Sequence, residues 1–199
     1  MADISAQAVK ELRERTGAGF MDCKRALGET GGDIEKAVAV LRERGQAAAA
    51  KKAGREAREG VIGSYIHTGG RIGVLIEVNC ETDFVARTDQ FGQLVRNLAM
   101  QVAGMRAEYV DTDGIPADVI ERKRADLLGD EVVARKPEHI RAQIVEGQLK
   151  KWYKEVCLLE QPYRDEERTV RDVVTEAIAT IGENIRVRRF TRYELGEEP

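Results

Sequence analysis

The chain has 199 residues, of which 42% are hydrophobic and 34% are charged, with three cysteines and two histidines. This composition excludes a disordered chain and a His-rich metal site, and the sequence contains no apolar run of roughly 18 residues that could span a membrane and no secretory signal. The net charge of −3 speaks against a general nucleic-acid binder, and the widely spaced cysteines predict reduced thiols in a cytosolic protein.

The N-terminal part of the chain predicts three short helices. Val9 and Leu12 lie on one face of the first, which Gly17 ends because glycine readily adopts the left-handed conformation of a helix C-cap. Asp33 is a suitable N-cap for the third helix, in which apolar residues recur at helical spacing. Gly45 is expected to end or loosen that helix.

Residues 46–60 are rich in alanine and charge and contain almost nothing large to bury. Alanine favours helix, so this segment predicts a partly helical, exposed linker. We place a domain boundary near residue 55. It divides the chain into an N-terminal three-helix domain with its linker, residues 1–55, and a core domain, residues 56–199.

The period of the apolar residues then changes to two, which is typical of strands. Residues 61–67 and 71–79 predict two strands, and Gly69 and Gly70 between them predict a tight hairpin turn. The alternating apolar residues of the second strand are Ile72, Val74, Ile76 and Val78.

Four further helices are predicted from apolar residues at helical spacing, at about residues 88–105, 116–128, 137–156 and 169–181. Residues 185–195 predict a final strand. Phe190 breaks the alternation of that strand, which requires either a bulge or a strand with two apolar sides.

Motifs of common enzyme classes are missing from the sequence. It has no phosphate-binding loop, no dinucleotide fingerprint, no nucleophile elbow and no zinc-protease motif, so no catalytic residue, cofactor or metal site is predicted. Cys23 precedes Lys24 and Arg25, whose charges could lower the pKa of its thiol. The alternative, which we favour, is that Cys23 lies on the inner face of a small helix.

The segment from Glu81 to Val85 lies between a buried strand and a long helix, where binding residues are often held on a rigid base. Asp83 could supply a charged contact and Phe84 an apolar wedge, since aromatic residues are common interface anchors. The alternative is that Thr82 or Asp83 caps a helix and Phe84 packs underneath it. The residues of this segment alone favour the alternative.

The stretch at residues 186–193 interleaves arginines with aromatic residues. Such a pattern can bind RNA through phosphate contacts and base stacking. The alternative is an exposed strand whose arginines pair with carboxylates. The negative net charge of the chain favours this alternative.

Three segments of the chain, residues 9–24, 73–87 and 182–190, closely resemble the bacterial translation elongation factor Ts family, in the family's order. The resemblance covers essentially the whole chain. It implies a guanine-nucleotide exchange factor for the GTPase elongation factor Tu, and not an enzyme acting on a covalent bond. It also implies an α+β fold, with an N-terminal three-helix, ubiquitin-associated-like domain followed by an α+β core whose small antiparallel sheet is packed by helices.

The resemblance further implies which residues contact the GTPase. Thr82, Asp83, Phe84 and Val85 are expected to form the contact that dislodges Mg²⁺, which reverses the preference that this segment gives by itself. Secondary contacts are expected at Arg13, Phe20, Met21, Lys24, His67, Ile181 and Gly182. The alternatives are internal packing of the small bundle for the N-terminal residues, and a plain hairpin residue for His67.

Longer members of the family carry a second core subdomain and a helical extension, for which 199 residues leave no room. The chain therefore resembles the short type, and we hypothesise a homodimer that binds two GTPases, with the C-terminal strand as the candidate for self-association. A cytoplasmic location is expected, without direct binding of nucleic acid or membrane. Two rival functions are an RNA- or ribosome-binding module and a holdase that binds the GTPase without exchanging its nucleotide.

Overall fold

A computed structural model describes residues 4–164 and 168–197 and has the predicted α+β fold, with N-terminal helices and a small antiparallel sheet. The helices are α1 Ala6–Thr16, α2 Phe20–Glu29, α3 Ile34–Lys52, α4 Asp83–Ala86, α5 Asp89–Met105, α6 Ala117–Gly129, α7 Glu131–Ala134, α8 Glu138–Val156 and α9 Val170–Ile181. The strands are β1 Glu59–Ile66, β2 Ile72–Cys80, β3 Pro162–Tyr163, β4 Arg168–Thr169 and β5 Arg186–Glu194.

The end of α1 and the start of α3 lie where their capping residues predict. Gly17 follows α1 in the left-handed conformation, with a φ of 65°, and its N–H donates to the carbonyl of Arg13. Asp33 caps α3 by accepting a hydrogen bond from the N–H of Lys36. The three helices share one apolar core, formed by Val9, Leu12, Cys23, Ala26, Leu27 and Ala37.

Helix α3 does not end or loosen at Gly45, so that prediction is wrong. The alanine-rich segment continues the helix to Lys52, and one face of it is half-buried, at Gly45, Ala48, Ala49 and Lys52. A Cβ atom at Gly45 would lie 3.6 Å from the Cβ of Ala179 in α9, and the ammonium of Lys52 donates to the carbonyl of Ile178. Small side chains therefore let α3 pack along α9, a contact that the search for large apolar residues could not reveal.

The three-stranded sheet has the order β1–β2–β5. As predicted, β1 and β2 form a hairpin, and Gly69 and Gly70 adopt positive φ angles of 91° and 69° in its turn. The alternation in β2 places Val74, Ile76 and Val78 in the core, while Leu75 is exposed.

The alternation in β5 is interrupted at Arg188 and Arg189. These consecutive residues are both exposed, and both of their guanidinium groups reach the carboxylate of Glu77. Val187 before them is buried and Phe190 after them is half-buried, which accounts for the change of parity. Of the two possibilities left by the sequence, two consecutive exposed residues followed by a change of parity favour a bulge over a strand with two apolar sides.

The helices predicted after the hairpin are present as α5, α6, α8 and α9, with ends within two residues of the prediction. Helix α7 and the β3–β4 ladder were missed because four residues and two residues per strand are too short to show a period. Helices α6, α7 and α8 enclose their own apolar cluster around Val133, Val145 and Leu149.

The described residues group into two units. The first consists of residues 4–61, 78–94 and 172–186, and the second of residues 62–77, 95–164, 168–171 and 187–197. Among these residues, no helix combines the length and the apolar character that crossing a membrane requires.

Candidate partner-binding site

In the turn that follows β2, two residues are fixed by a hydrogen bond or by burial, and the two between them are exposed. The Thr82 hydroxyl caps α4 by accepting a hydrogen bond from the N–H of Val85 at 3.3 Å, and Val85 is buried. Between them, Asp83 is exposed and Phe84 has 76% of its surface exposed. The turn is thus fixed at its first and fourth residues and directs a carboxylate and a phenyl ring outward.

This geometry divides the alternative interpretation of the segment into two parts. Its capping part is confirmed at Thr82, but its expectation that Phe84 packs underneath the helix is wrong. Burying a phenylalanine side chain stabilises a fold by about 1.5–3 kcal/mol. An exposed phenyl ring on a held turn leaves that stabilisation available to a partner.

Asp83 forms an ion pair with Arg87, one helical turn further on, at 2.7 Å. Both side chains are largely exposed, so the pair contributes little to stability. Because water competes for both groups, the carboxylate of Asp83 can exchange Arg87 for a donor on a partner at small cost.

Residues 181–183 form the corner after α9, and Glu183 joins this corner to the turn by hydrogen bonds. Its carboxylate accepts hydrogen bonds from the N–H of Glu81 at 3.0 Å, from the N–H of Thr82 at 3.1 Å and from the Thr82 hydroxyl at 2.6 Å. The predicted residues Ile181 and Gly182 directly precede Glu183, so they adjoin a residue that is hydrogen-bonded to the turn. Glu183 was missed because a carboxylate after a helix gives no sign of what it binds.

The thiol of Cys80 makes a further hydrogen bond to the same turn. Cys80 is buried, and its Sγ donates to the carbonyl of Thr82 at 3.2 Å. Burial, with a further contribution from the charge of Glu183, raises the pKa of the Cys80 thiol to about 11. The thiol therefore keeps its proton at neutral pH and remains a donor.

Cys23 is also buried, as the favoured alternative predicts. Burial is the main cause that raises the pKa of its thiol, and it outweighs the lowering effect of the hydrogen bond with Thr16. A reactive thiolate is therefore disfavoured at Cys23. Within residues 4–164 and 168–197, no group of three or more His, Cys, Asp or Glu side chains is arranged to hold a metal ion.

The predicted N-terminal contact residues lie on α1 and at the start of α2. Arg13 and Lys24 are exposed, and Phe20 and Met21 have 51% and 65% of their surfaces exposed. The core of this bundle is built from other residues of the same helices, so internal packing does not account for these four. Two adjacent exposed apolar side chains, together with exposed cations on the same two helices, are suited to contact a partner.

His67 lies just after β1, in the second unit, whereas the Thr82–Val85 segment belongs to the first. The imidazole is exposed, and its Nδ1 lies 3.1 Å from the hydroxyl of Tyr65. The structure therefore does not group His67 with the turn.

Three of the four arginines of β5 form ion pairs with carboxylates. Arg188 and Arg189 pair with Glu77, and Arg192 pairs with Glu194 and Glu197. These carboxylates offset part of the positive charge that phosphate groups would otherwise meet. This arrangement favours the interpretation of the stretch as a strand whose arginines pair with carboxylates.

Comparison with known proteins adds to this geometry. Residues 21–197 match the sequence profile of a family described as "Elongation factor TS". The chain belongs to the elongation factor Ts family. It is 58% identical over 195 residues to elongation factor Ts of Carboxydothermus hydrogenoformans, covering 98% of this chain and 90% of that protein. It is also 59% identical over 198 residues to elongation factor Ts of Desulforamulus reducens, covering 99% of this chain and 91% of that protein.

The similarity extends to a third elongation factor Ts. The protein of Synechococcus elongatus is 58% identical over 199 residues, covering 99% of this chain and 90% of that protein. These matches run through both units. The turn, the corner after α9 and the exposed N-terminal residues therefore all lie within the part that resembles elongation factor Ts.

Proposed function

We propose that this protein is the guanine-nucleotide exchange factor for elongation factor Tu in translation elongation, acting in the cytoplasm. Membership of the elongation factor Ts family supports the partner and the exchange activity. The observation that carries the mechanism is Phe84, an exposed phenyl ring on a turn that is held on both sides. No covalent bond is made or broken in such a reaction, so no catalytic side chain or cofactor is needed.

The mechanism follows from how GTPases hold their nucleotide. GDP is bound through a phosphate loop and through Mg²⁺ on the phosphates. We propose that the Thr82–Val85 segment enters the partner beside this site, with Phe84 filling an apolar slot and Asp83 accepting hydrogen bonds from a displaced segment. Moving the elements around the metal dislodges Mg²⁺ and weakens the binding of GDP.

The same coupling explains how the factor would leave. A factor that lowers the affinity of the GTPase for GDP must be bound more weakly, by the same ratio, when the nucleotide is present. Binding of GTP therefore ejects the factor, and one molecule of it can act on many GTPase molecules.

The remaining predicted contacts complete the proposed interface. Arg13, Phe20, Met21 and Lys24 would dock the N-terminal domain on the GTPase, and Ile181 and Gly182 would contact it beside the turn. His67, in the second unit, is proposed as a separate contact. The division into residues 1–55 and a core domain of residues 56–199 remains a prediction.

Release of a fluorescent GDP analogue from elongation factor Tu, at fixed Mg²⁺, tests the proposal. We expect substoichiometric amounts of the protein to accelerate release, because each molecule is recycled by nucleotide binding. Binding without acceleration would contradict exchange and favour a holdase. Binding to RNA that weakens steeply with salt, without any effect on GDP release, would instead favour the RNA-binding function.

We also propose that two copies associate through the exposed face of the sheet. This face carries apolar residues from all three strands of the sheet and from the residue after β5: Ile62, Ile66, Leu75, Tyr193 and Leu195. Ile66 lies over Gly73, since a Cβ there would come within 3.1 Å of its Cδ1. Packing these apolar side chains against the same face of a second copy would remove them from water, and a two-fold interface brings identical faces together in this way.

Sedimentation velocity tests the dimer. We expect the unchanged protein to sediment as a dimer, and the Leu75→Asp variant as a monomer, because a carboxylate on this face would lose its water on association. Val132→Asp changes an exposed residue of α7 that is not part of this face, and this variant is expected to remain dimeric. A monomer of the unchanged protein at all concentrations would contradict the proposal.

A further inference from the structure

The turn that carries Phe84 is tied to a second chain segment by reciprocal hydrogen bonds. Glu183 accepts three hydrogen bonds from Glu81 and Thr82. In return, the carboxylate of Glu81 accepts a hydrogen bond from the N–H of Asn184 at 2.6 Å. Each segment thus accepts hydrogen bonds through one carboxylate and donates them through at least one backbone N–H. We call the four residues that form these bonds the clamp: Glu81, Thr82, Glu183 and Asn184.

The clamp also contacts the chain that leaves α3. The side-chain amide of Asn184, which is buried, donates to the carbonyl of Arg55 at 2.7 Å. The guanidinium of Arg55 lies 3.5 Å from the carboxylate of Glu81. Residues that are distant in sequence therefore meet at the base of the turn and satisfy one another's polar groups.

The turn needs this support because its own structure is short. Helix α4 has four residues, and a single helical turn is unstable by itself because its nucleation costs more than its hydrogen bonds return. The exposed phenyl ring of Phe84 adds nothing that would hold it. Loop residues that are disordered before binding must lose conformational entropy when they bind, which weakens the interaction.

We propose that Glu183 is a positioning residue for nucleotide exchange, whose carboxylate holds the backbone of Glu81 and Thr82 so that Asp83 and Phe84 enter the partner already ordered. Glu183 acts through the turn and need not touch the GTPase. The inference rests on the proposed exchange function for its consequence, but its structural part, the ordering of the turn, can be measured without any GTPase.

The structural part is tested by amide hydrogen exchange of the free protein. In the Glu183→Ala variant we expect faster exchange at the amides of Glu81 and Thr82, because their hydrogen bonds to the carboxylate are lost. The amide of Val85 should also exchange faster, because its acceptor, the Thr82 hydroxyl, loses its own bond to that carboxylate. Glu183→Gln keeps one oxygen that can accept from the backbone, so its effect should be smaller. Glu131→Ala, which removes only an exposed ion pair with Arg135, should leave these amides unchanged.

The functional part is tested by the rate of GDP release in a double-mutant cycle. We expect Glu183→Ala to lower exchange activity roughly tenfold, with the Gln variant in between and Glu131→Ala at the parent rate. In the Phe84→Ala background, Glu183→Ala should have little further effect, because both changes disable one element. Loss of activity through general destabilisation would instead add to the effect of Phe84→Ala.

The outcomes separate the two proposals. Unchanged amide exchange in the Glu183→Ala variant, or full additivity in the cycle, would overturn the positioning role. Faster amide exchange at the turn in a protein that never accelerates GDP release would leave the clamp intact as a structural finding and overturn the exchange function. If Glu183→Ala fails to fold, Glu183→Gln carries both measurements, and parent-like values for it would overturn the positioning role.

Discussion

The Phe84→Ala variant is expected to fold like the parent and to exchange nucleotide much more slowly. The phenyl ring is 76% exposed, so its removal leaves no cavity, and the free energy of unfolding should change by about 0.5 kcal/mol or less. In the proposed complex the ring is buried in the GTPase. Loss of about 1.5–3 kcal/mol of burial corresponds to a roughly 10- to 150-fold lower exchange efficiency.

The measurement is the rate of GDP release at several concentrations of the variant, with thermal unfolding recorded in parallel. Leu128→Ala is the matched control, because Leu128 is an exposed apolar residue of α6 that belongs to no proposed interface. Release at the parent rate would show that Phe84 is not the wedge. A large fall in stability would place Phe84 in the core, against the exposure described above.

The Gly60→Ala variant is expected to lose much of its stability. Gly60 lies in β1 with a φ of +144°, which a side-chain-bearing residue rarely adopts. A Cβ atom there would lie 2.2 Å from the carbonyl oxygen of Val78 and 2.7 Å from the Cα of Asn79. Both obstacles are backbone atoms of the central strand, so a rotamer change cannot relieve them. We expect a loss of roughly 2–6 kcal/mol from backbone strain and overpacking together.

Urea denaturation measures this loss. Gly92→Ala is the matched control, since Gly92 lies in α5 and a Cβ there would have no neighbour within 4 Å. Alanine at that position should be neutral or stabilising by up to about 1 kcal/mol, because it favours helix. Equal midpoints for Gly60→Ala and the parent would show that the strand can move to accept a side chain.

Most elements of the fold could be predicted from local patterns. Helices α5, α6, α8 and α9 carry apolar residues at helical spacing, α1 is ended by Gly17, and the β1–β2 hairpin combines a period of two with a turn of two glycines. The pattern of large apolar residues failed to predict the end of α3, where the buried side chains are small. It ended α3 at Gly45 because alanines were not counted as buried residues, although small side chains are what allow α3 and α9 to approach.

The candidate site could be predicted only in part. The residues of the Thr82–Val85 segment left its role open, and the resemblance to the elongation factor Ts family decided the prediction. Neither indicated Glu183 as the acceptor for the turn, because the two segments are about 100 residues apart in the chain. Hydrogen bonds between distant segments leave no periodic trace in a sequence.

The sequence by itself determined the elements, the caps, the hairpin and the family, because these depend on residues that are close together or on long matched segments. The tertiary structure alone decided which side chains of those elements remain exposed. Phe84 and Phe91 lie seven positions apart, yet the first is exposed and the second fully buried. The physical reason is that burial depends on what the rest of the chain places against a residue, and at the turn Glu183 and Val85 hold the backbone while nothing covers the ring.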